Sequence, residues 1–258
     1  MNNAPHGTAP GNNDLPSCDT ETGVCTVSDA PEEPPRQQPA EKPGPTLIYV
    51  GDPMCSWCWG ISPGLRQLEA HAHRLGIPFH IWVGGLRPGG GDAWNAGFKA
   101  FLRHHWEEIA ARTGQPFTYR LLERASFNYD TEPACRAFVV LRAMLHETRA
   151  PSTRRYDAFA AVQQKFYAQG EDPTAPSFYE SICADVGVAF ESFLPRFEHA
   201  DAKAATAQEF REARGLGVSA FPTVLYRSDA GTKVLASGYA TGPQMIAALD
   251  RAAQEPRR

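Results

Sequence analysis

The sequence predicts an α/β chain whose sheet is assembled from two halves, a βαβ unit and a ββα unit, with an all-helical domain inserted between them. Three observations carry this. The apolar run Leu47-Ile48-Tyr49-Val50 is followed by a Gly-Asp-Pro turn, a helical stretch and a second apolar run at Phe79–Val83, which is the order of a right-handed strand–helix–strand unit. From Asp92 to about Arg214 nearly every segment has helical spacing or a helix start signal. Strand character returns at Pro222-Thr223-Val224-Leu225-Tyr226, with a turn at Ser228–Gly231, a partner strand at Lys233–Ala236 and a closing helix. The expected division is a disordered Pro-rich acidic tail with a cysteine pair (1–45), the βαβ half (46–91), the helical insertion (92–214) and the ββα half (215–258).

The tail is set apart by composition. It holds nine of the twenty-two prolines and a net charge of −5, whereas the remainder carries +1. Such a segment has too little apolar surface to offset the entropy of ordering. It also contains Cys18 and Cys25 around a Thr22-Gly23 turn signal, a mobile pair suited to a loop disulfide, to exchange with other thiols, or to a soft metal. The nearly neutral body lacks the basic excess that nucleic acid binding needs. No apolar run approaches the roughly 18 residues of a membrane span. The first residues lack the basic and apolar regions of a secretory signal, so a cytoplasmic protein is expected. Disulfides in a reducing compartment are catalytic or sensing more often than structural.

Along the body, a helix is expected from the Cys55 region to about Gly76, with Leu65, Leu68, Ala72 and Leu75 facing a core and Pro63 kinking it. Gly84-Gly85-Leu86-Arg87-Pro88-Gly89-Gly90-Gly91 lacks the Lys-Ser/Thr ending of a phosphate cradle and reads as a flexible connection, with Arg87 a candidate anion ligand. Helices are expected near 92–113, 132–148, 152–169, 176–186, 189–198 and 201–214, with Thr131 capping the second. Cys135 and Cys183 read as small buried hydrophobes. His104 and His105 are adjacent and cannot share a helix face. Thr241 caps the last helix, on which Met245, Ile246 and Leu249 face inward.

The chemistry concentrates at Cys55-Ser56-Trp57-Cys58. The pair follows a strand and a turn and opens a helix, where unpaired N–H groups and the macrodipole favour a thiolate. Cysteines in this setting have pKa values lowered to about 3.5–7.5. Cys58 lies one turn on, on the same face. Cys55 is therefore the candidate attacking thiol and Cys58 the resolving thiol. CxxC is also a zinc-ligand spacing, but no second CxxC or HxxxH accompanies it.

Taken together, Asp52-Pro53-Met54-Cys55-Ser56-Trp57-Cys58-Trp59-Gly60, Gly84-Gly85-Leu86-Arg87-Pro88-Gly89 and Gly217-Val218-Ser219-Ala220-Phe221-Pro222-Thr223 resemble the DsbA-like oxidoreductases, a thioredoxin fold with a helical insertion, and within them the FrnE-like branch. The resemblance covers residues 46–253. It implies a thiol–disulfide oxidoreductase of protein or low-molecular-weight thiols and disulfides, glutathione among them; no cofactor, metal, nucleic acid or membrane partner is expected. It further implies that Pro222 is cis and packs opposite Cys55, and that the backbone at Phe221 pairs with an extended substrate by strand addition. Ser56 and Trp57 replace the Pro-His of strongly oxidising relatives, which implies a less oxidising protein; Phe221 is bulkier than the Val or Thr common there. Two other readings use the same residues. Kappa-class glutathione transferases and chromene-carboxylate isomerases resemble the body but have a serine or bound glutathione where this chain has Cys55. A thiolate metal-binding protein would use Cys55 and Cys58, with Cys18 and Cys25, for Cu(I) or Zn.

Overall fold

A computed structural model describes residues 18–19, 21–26 and 44–254. The central sheet has four strands in the order β4–β3–β6–β7. Strand β3 (Thr46–Gly51) runs parallel to β4 (Phe79–Val83) and antiparallel to β6 (Thr223–Ser228), which pairs with β7 (Gly231–Ser237). Leu47, Ile48, Tyr49 and Val50 are all buried. Covered on both faces, a central strand reads as a continuous apolar run, which is why it stood out in the sequence.

Helix α1 (Ser56–Arg74) packs against α9 (Gly242–Gln254). Thr241 and Gln244 form a reciprocal cap at the start of α9: Gln244 Oε1 accepts from the Thr241 amide at 2.8 Å, and Thr241 Oγ1 accepts from the Gln244 amide at 3.4 Å. Pro63 lies within α1 without ending it. Its missing N–H releases the Trp59 carbonyl one turn earlier, and Gln115 Nε2 takes that partnership at 3.0 Å while also donating to Ser62 Oγ at 2.8 Å.

Between β4 and residue 220 the elements are α2 (Ala96–Thr113), α3 (Arg120–Glu123), α4 (Glu132–Glu147), α5 (Ser152–Tyr167), a 3₁₀ turn (Pro176–Tyr179), α6 (Glu180–Val186), α7 (Phe190–Glu198) and α8 (Ala200–Gly215). The one-turn α3 has no counterpart in the sequence reading, being too short for periodicity to register. The helices join the sheet through aromatic edges: Tyr49 meets Phe159 of α5 at 5.7 Å and 83°, and Phe159 meets Phe138 of α4 at 5.1 Å and 86°. Strand β4 is a sheet edge, and side chains finish it. Glu209 of α8 accepts from the Val83 amide at 2.7 Å, and Arg142 of α4 donates to the Ile81 carbonyl at 2.5 Å and pairs with Glu209.

Part of the tail is described. Cys18–Asp19 (β1) and Val24–Thr26 (β2) are strands, paired antiparallel with Cys18 opposite Cys25. The two strands continue into β5 (Ala220–Phe221), forming a second, three-stranded sheet. The rest of the tail expected to be disordered, 1–17, 20 and 27–43, lies outside the described residues. Among the described residues, no helix is long and apolar enough to cross a membrane.

Candidate active site

Strand β3 ends in the loop that presents the cysteines. Asp52, wholly buried, organises it. Its Oδ1 accepts from the Met54 amide two residues on, at 2.8 Å, in an Asx turn. Its Oδ2 accepts from the Leu86 amide at 2.7 Å and from the Cys135 thiol of α4 at 3.3 Å. One carboxylate thus ties the cysteine loop to the glycine-rich loop and to the helical insertion. Burial raises the Asp52 pKa, and the Leu86 and Met54 amides, the Thr131 hydroxyl and the Cys135 thiol act against that rise. Sequence reasoning missed this residue. A carboxylate between an apolar strand and a CxxC was the available signal.

The next peptide is pinned from the helical side. Tyr129 and Tyr167 hydroxyls both donate to the Met54 carbonyl, at 2.9 and 2.5 Å, and both rings are buried. Cys55 follows as the N-cap of α1 in extended backbone (φ −86°, ψ 120°), and its carbonyl accepts the first helical bond from the Trp59 amide at 3.1 Å. Ser56, Trp57 and Cys58 form the first turn, so Cys58 stands at the third helical position. Cys55, Trp57 and Cys58 are all 0% exposed. The Tyr49 hydroxyl faces Cys58 without a hydrogen bond of normal geometry.

Burial changes the expected acidity. It raises the Cys55 pKa well above that of an ordinary thiol, with the neighbouring Cys58 adding to the rise and Asp52 contributing last. The Cys58 amide works in the opposite sense but does not win. The depressed Cys55 pKa expected from the helix start is therefore reversed in this closed arrangement, because desolvation of a fully covered sulfur outweighs the helix terminus.

Pro222 follows Phe221 through a cis peptide bond, as the resemblance implied. Phe221 is 1% exposed, and its ring lies directly on Gly84, where any Cβ would overlap it. Gly85 is similarly apposed to Phe210 of α8. The first two glycines of the loop thus permit close packing of aromatic rings, where the sequence had suggested a flexible connection. Phe221's bulk is held in this recess. Arg87 is not available as an anion ligand: it is buried, paired with Asp92, and stacked near Phe98 and Tyr129. Thr131 precedes α4 as expected but makes no capping hydrogen bond with its side chain; its Oγ1 accepts from the Arg87 amide at 3.0 Å. Cys135 is buried as expected, yet serves as a donor to Asp52 as well as a packing residue.

Trp57 is covered by Tyr239 at 5.6 Å between ring centroids and by the Arg112 guanidinium, 5.5 Å from the Trp57 ring and 4.9 Å from the Tyr239 ring. The tail hairpin adds to this cover. Gly23 is buried with φ +72°, and a Cβ there would lie 2.5 Å from Tyr239 Cβ and 3.2 Å from Trp57 Cε3. The Tyr239 amide donates to the Thr22 carbonyl at 3.3 Å, and Arg112 donates to the Glu21 carbonyl at 3.0 Å. The backbone of Cys25 pairs with Phe221.

No protein-family model matches the chain. Among solved structures it is similar to a candidate protein disulfide isomerase from Nitrosomonas europaea, with 30% identity and a TM-score of 0.70 over 82% of this chain and 98% of that one. The cytosolic disulfide reductase DsbM from Pseudomonas aeruginosa is 26% identical, with a TM-score of 0.65 over 81% of this chain and 98% of that one. Among curated proteins, the ClpXP adapter protein SpxH of Shouchella clausii (strain KSM-K16) is 22% identical over 225 residues, 84% of this chain and 69% of that protein.

Proposed function

Because the chain belongs to the DsbA-like family of thioredoxin-fold thiol–disulfide oxidoreductases, we propose that Cys55 and Cys58 are its reacting pair and that it works as a disulfide reductase in the cytoplasm, drawing electrons from glutathione or a thiol of that class. The observation that carries the assignment is the placement of Cys55 at the N-cap of α1 with Cys58 one turn on. The direction and compartment draw support from DsbM, named a cytosolic disulfide reductase and solved also with GSH, in that form 27% identical with a TM-score of 0.62 over 81% of this chain and all of that one. The Ser56-Trp57 dipeptide supports the same direction, since it places no histidine beside the thiolate. In this reading 46–91 and 215–258 supply the dithiol and the strand edge at Phe221-Pro222, and 92–214 roofs them.

The reaction balances within the dithiol. The Cys55 thiolate attacks one sulfur of a substrate disulfide, forming a mixed disulfide and releasing the other sulfur as a thiolate that takes a proton. Cys58 then attacks Cys55 Sγ, closing the Cys55–Cys58 disulfide and releasing the second substrate thiol. Two low-molecular-weight thiols restore the dithiol and leave as their own disulfide. In a Cys58→Ser variant the first mixed disulfide should accumulate at Cys55 when glutathione disulfide or an oxidised peptide is supplied. Equilibration of the wild type with glutathione should give a potential well below the roughly −120 mV of DsbA. An unmodified Cys55 after exposure to both disulfides would end the assignment; a potential near that of DsbA would end the reductase direction alone.

A further inference from the structure

The tail hairpin lies where a substrate should. Strand addition at Phe221 is the mode by which an extended substrate would bind here, and β2 already takes that edge, with Cys25 opposite Phe221 and Thr26 opposite Ala220. The hairpin is anchored from both sides. Its turn is held by the Arg112–Glu21 and Tyr239–Thr22 hydrogen bonds and packs Gly23 against Trp57, the third residue of Cys55-Ser56-Trp57-Cys58. Its second strand is held by Phe221, the residue before Pro222. Cys25 falls between these two anchors, two residues from Gly23, a separation of about 6.6 Å along a strand.

The partner of Cys25 is equally placed. Cys18 is its direct antiparallel partner. Opposed residues in such a pair have Cα atoms about 4.5–5.5 Å apart, within the roughly 4.4–6.8 Å that a disulfide spans. A chance pair of tail thiols has no reason to be in register with each other and, at the same time, with the edge beside the reacting dithiol.

We propose that the 18–26 hairpin is an intramolecular substrate of the Cys55–Cys58 dithiol, a resident electron carrier that docks at the Phe221 edge and exchanges disulfides through Cys25. The proposal rests on the role of Cys55 given above. The Cys55 thiolate attacks the Cys25 sulfur of a Cys18–Cys25 disulfide; Cys18 leaves as a thiolate and takes a proton. Cys58 then attacks Cys55 Sγ, forming the Cys55–Cys58 disulfide and freeing Cys25 as a thiol. Two electrons pass from the active site to the hairpin, and the reverse sequence returns them. External low-molecular-weight thiols or disulfides reset the hairpin. While docked, β2 also withholds the edge from an external strand, so apparent affinity for extended substrates falls by the fraction of molecules in which it is docked.

The test uses the full-length Cys58→Ser protein in a glutathione redox buffer, quenched with N-ethylmaleimide and mapped by non-reducing peptide mass spectrometry. The expected product is a Cys25–Cys55 linked peptide in clear excess over Cys18–Cys55. Gly23→Val in the same background should unseat the turn, because its side chain has no room against Tyr239. The Cys25–Cys55 yield should then fall about tenfold while Cys55–glutathione rises, as an intramolecular partner loses its effective concentration. Cys55 joined to glutathione with no Cys25–Cys55 peptide, or a yield indifferent to Gly23→Val, would overturn the relay and leave the oxidoreductase assignment standing. A Cys55 joined to neither partner would remove both.

Discussion

The carbonyl of Met54 offers a sharp test of how the cysteine loop is held. Two buried phenols donate to this one oxygen, at 2.9 Å from Tyr129 and 2.5 Å from Tyr167, and the two hydroxyls are 3.4 Å apart. Replacing either tyrosine by phenylalanine keeps the ring and its aromatic contacts and removes one donor. The remaining phenol still satisfies the carbonyl, so each single variant should lose about 0.5–1.5 kcal/mol, the net worth of one hydrogen bond. The double variant strips both phenol donors from a carbonyl buried beneath the insertion. It should therefore add the desolvation cost of an orphaned acceptor, about 1–3 kcal/mol, beyond the sum of the singles. The measurement is urea unfolding of all four proteins with a common m-value. Additivity within about 0.5 kcal/mol would refute the shared-acceptor arrangement, because residues without a common partner add to that precision.

Two further outcomes follow from the geometry. Gly84→Ala should destabilise by about 1–3 kcal/mol through overpacking against the Phe221 ring, and a second change, Phe221→Val, should recover part of that loss; a neutral Gly84→Ala would mean that the ring is free to leave the recess. Burial raises the Cys55 pKa in the folded chain, so the folded state holds the proton to higher pH than the unfolded one. The stability tied to this group is present below the unfolded thiol pKa and is lost as pH rises through the folded value. Iodoacetamide alkylation of Cys55 in the reduced wild type should keep accelerating beyond about pH 8.5, the ordinary thiol value. A plateau at neutral pH would show a thiolate already formed.

What could be read from the sequence depended on how local its signal was. The buried β3 run, the CxxC at a helix start and the Pro222 strand each announce themselves within a few residues, and together they specify the two sheet halves. The Asp52 network could not be read in this way. Its partners, Leu86, Thr131 and Cys135, lie in three other segments, and only the tertiary packing converts a turn aspartate into the tie among them. Arg87 and the glycines beside it misled for the same reason. A glycine followed by a cation looks like an anion site until the ring that needs the glycine, Phe221, arrives from more than a hundred residues away. The hairpin was hidden by composition. Proline and charge around 18–26 argue for disorder, and the partners of the two short strands, the β5 edge and the Tyr239–Trp57 surface, lie far along the chain where a local reading does not reach.

The closed site also constrains the order of events. A thiol that is 0% exposed cannot meet the sulfur of an external disulfide, so some of its cover has to move before the first exchange. Asp52 and the two phenols belong to the packed interior, and displacing them would break buried hydrogen bonds on both sides of the loop. The hairpin is different. Its strands are two and three residues long, and β2 pairs with β5 over two residues. Short edge segments open at the low end of a protein's stability range. Undocking the hairpin would uncover Trp57 and free the Phe221 edge for an external strand.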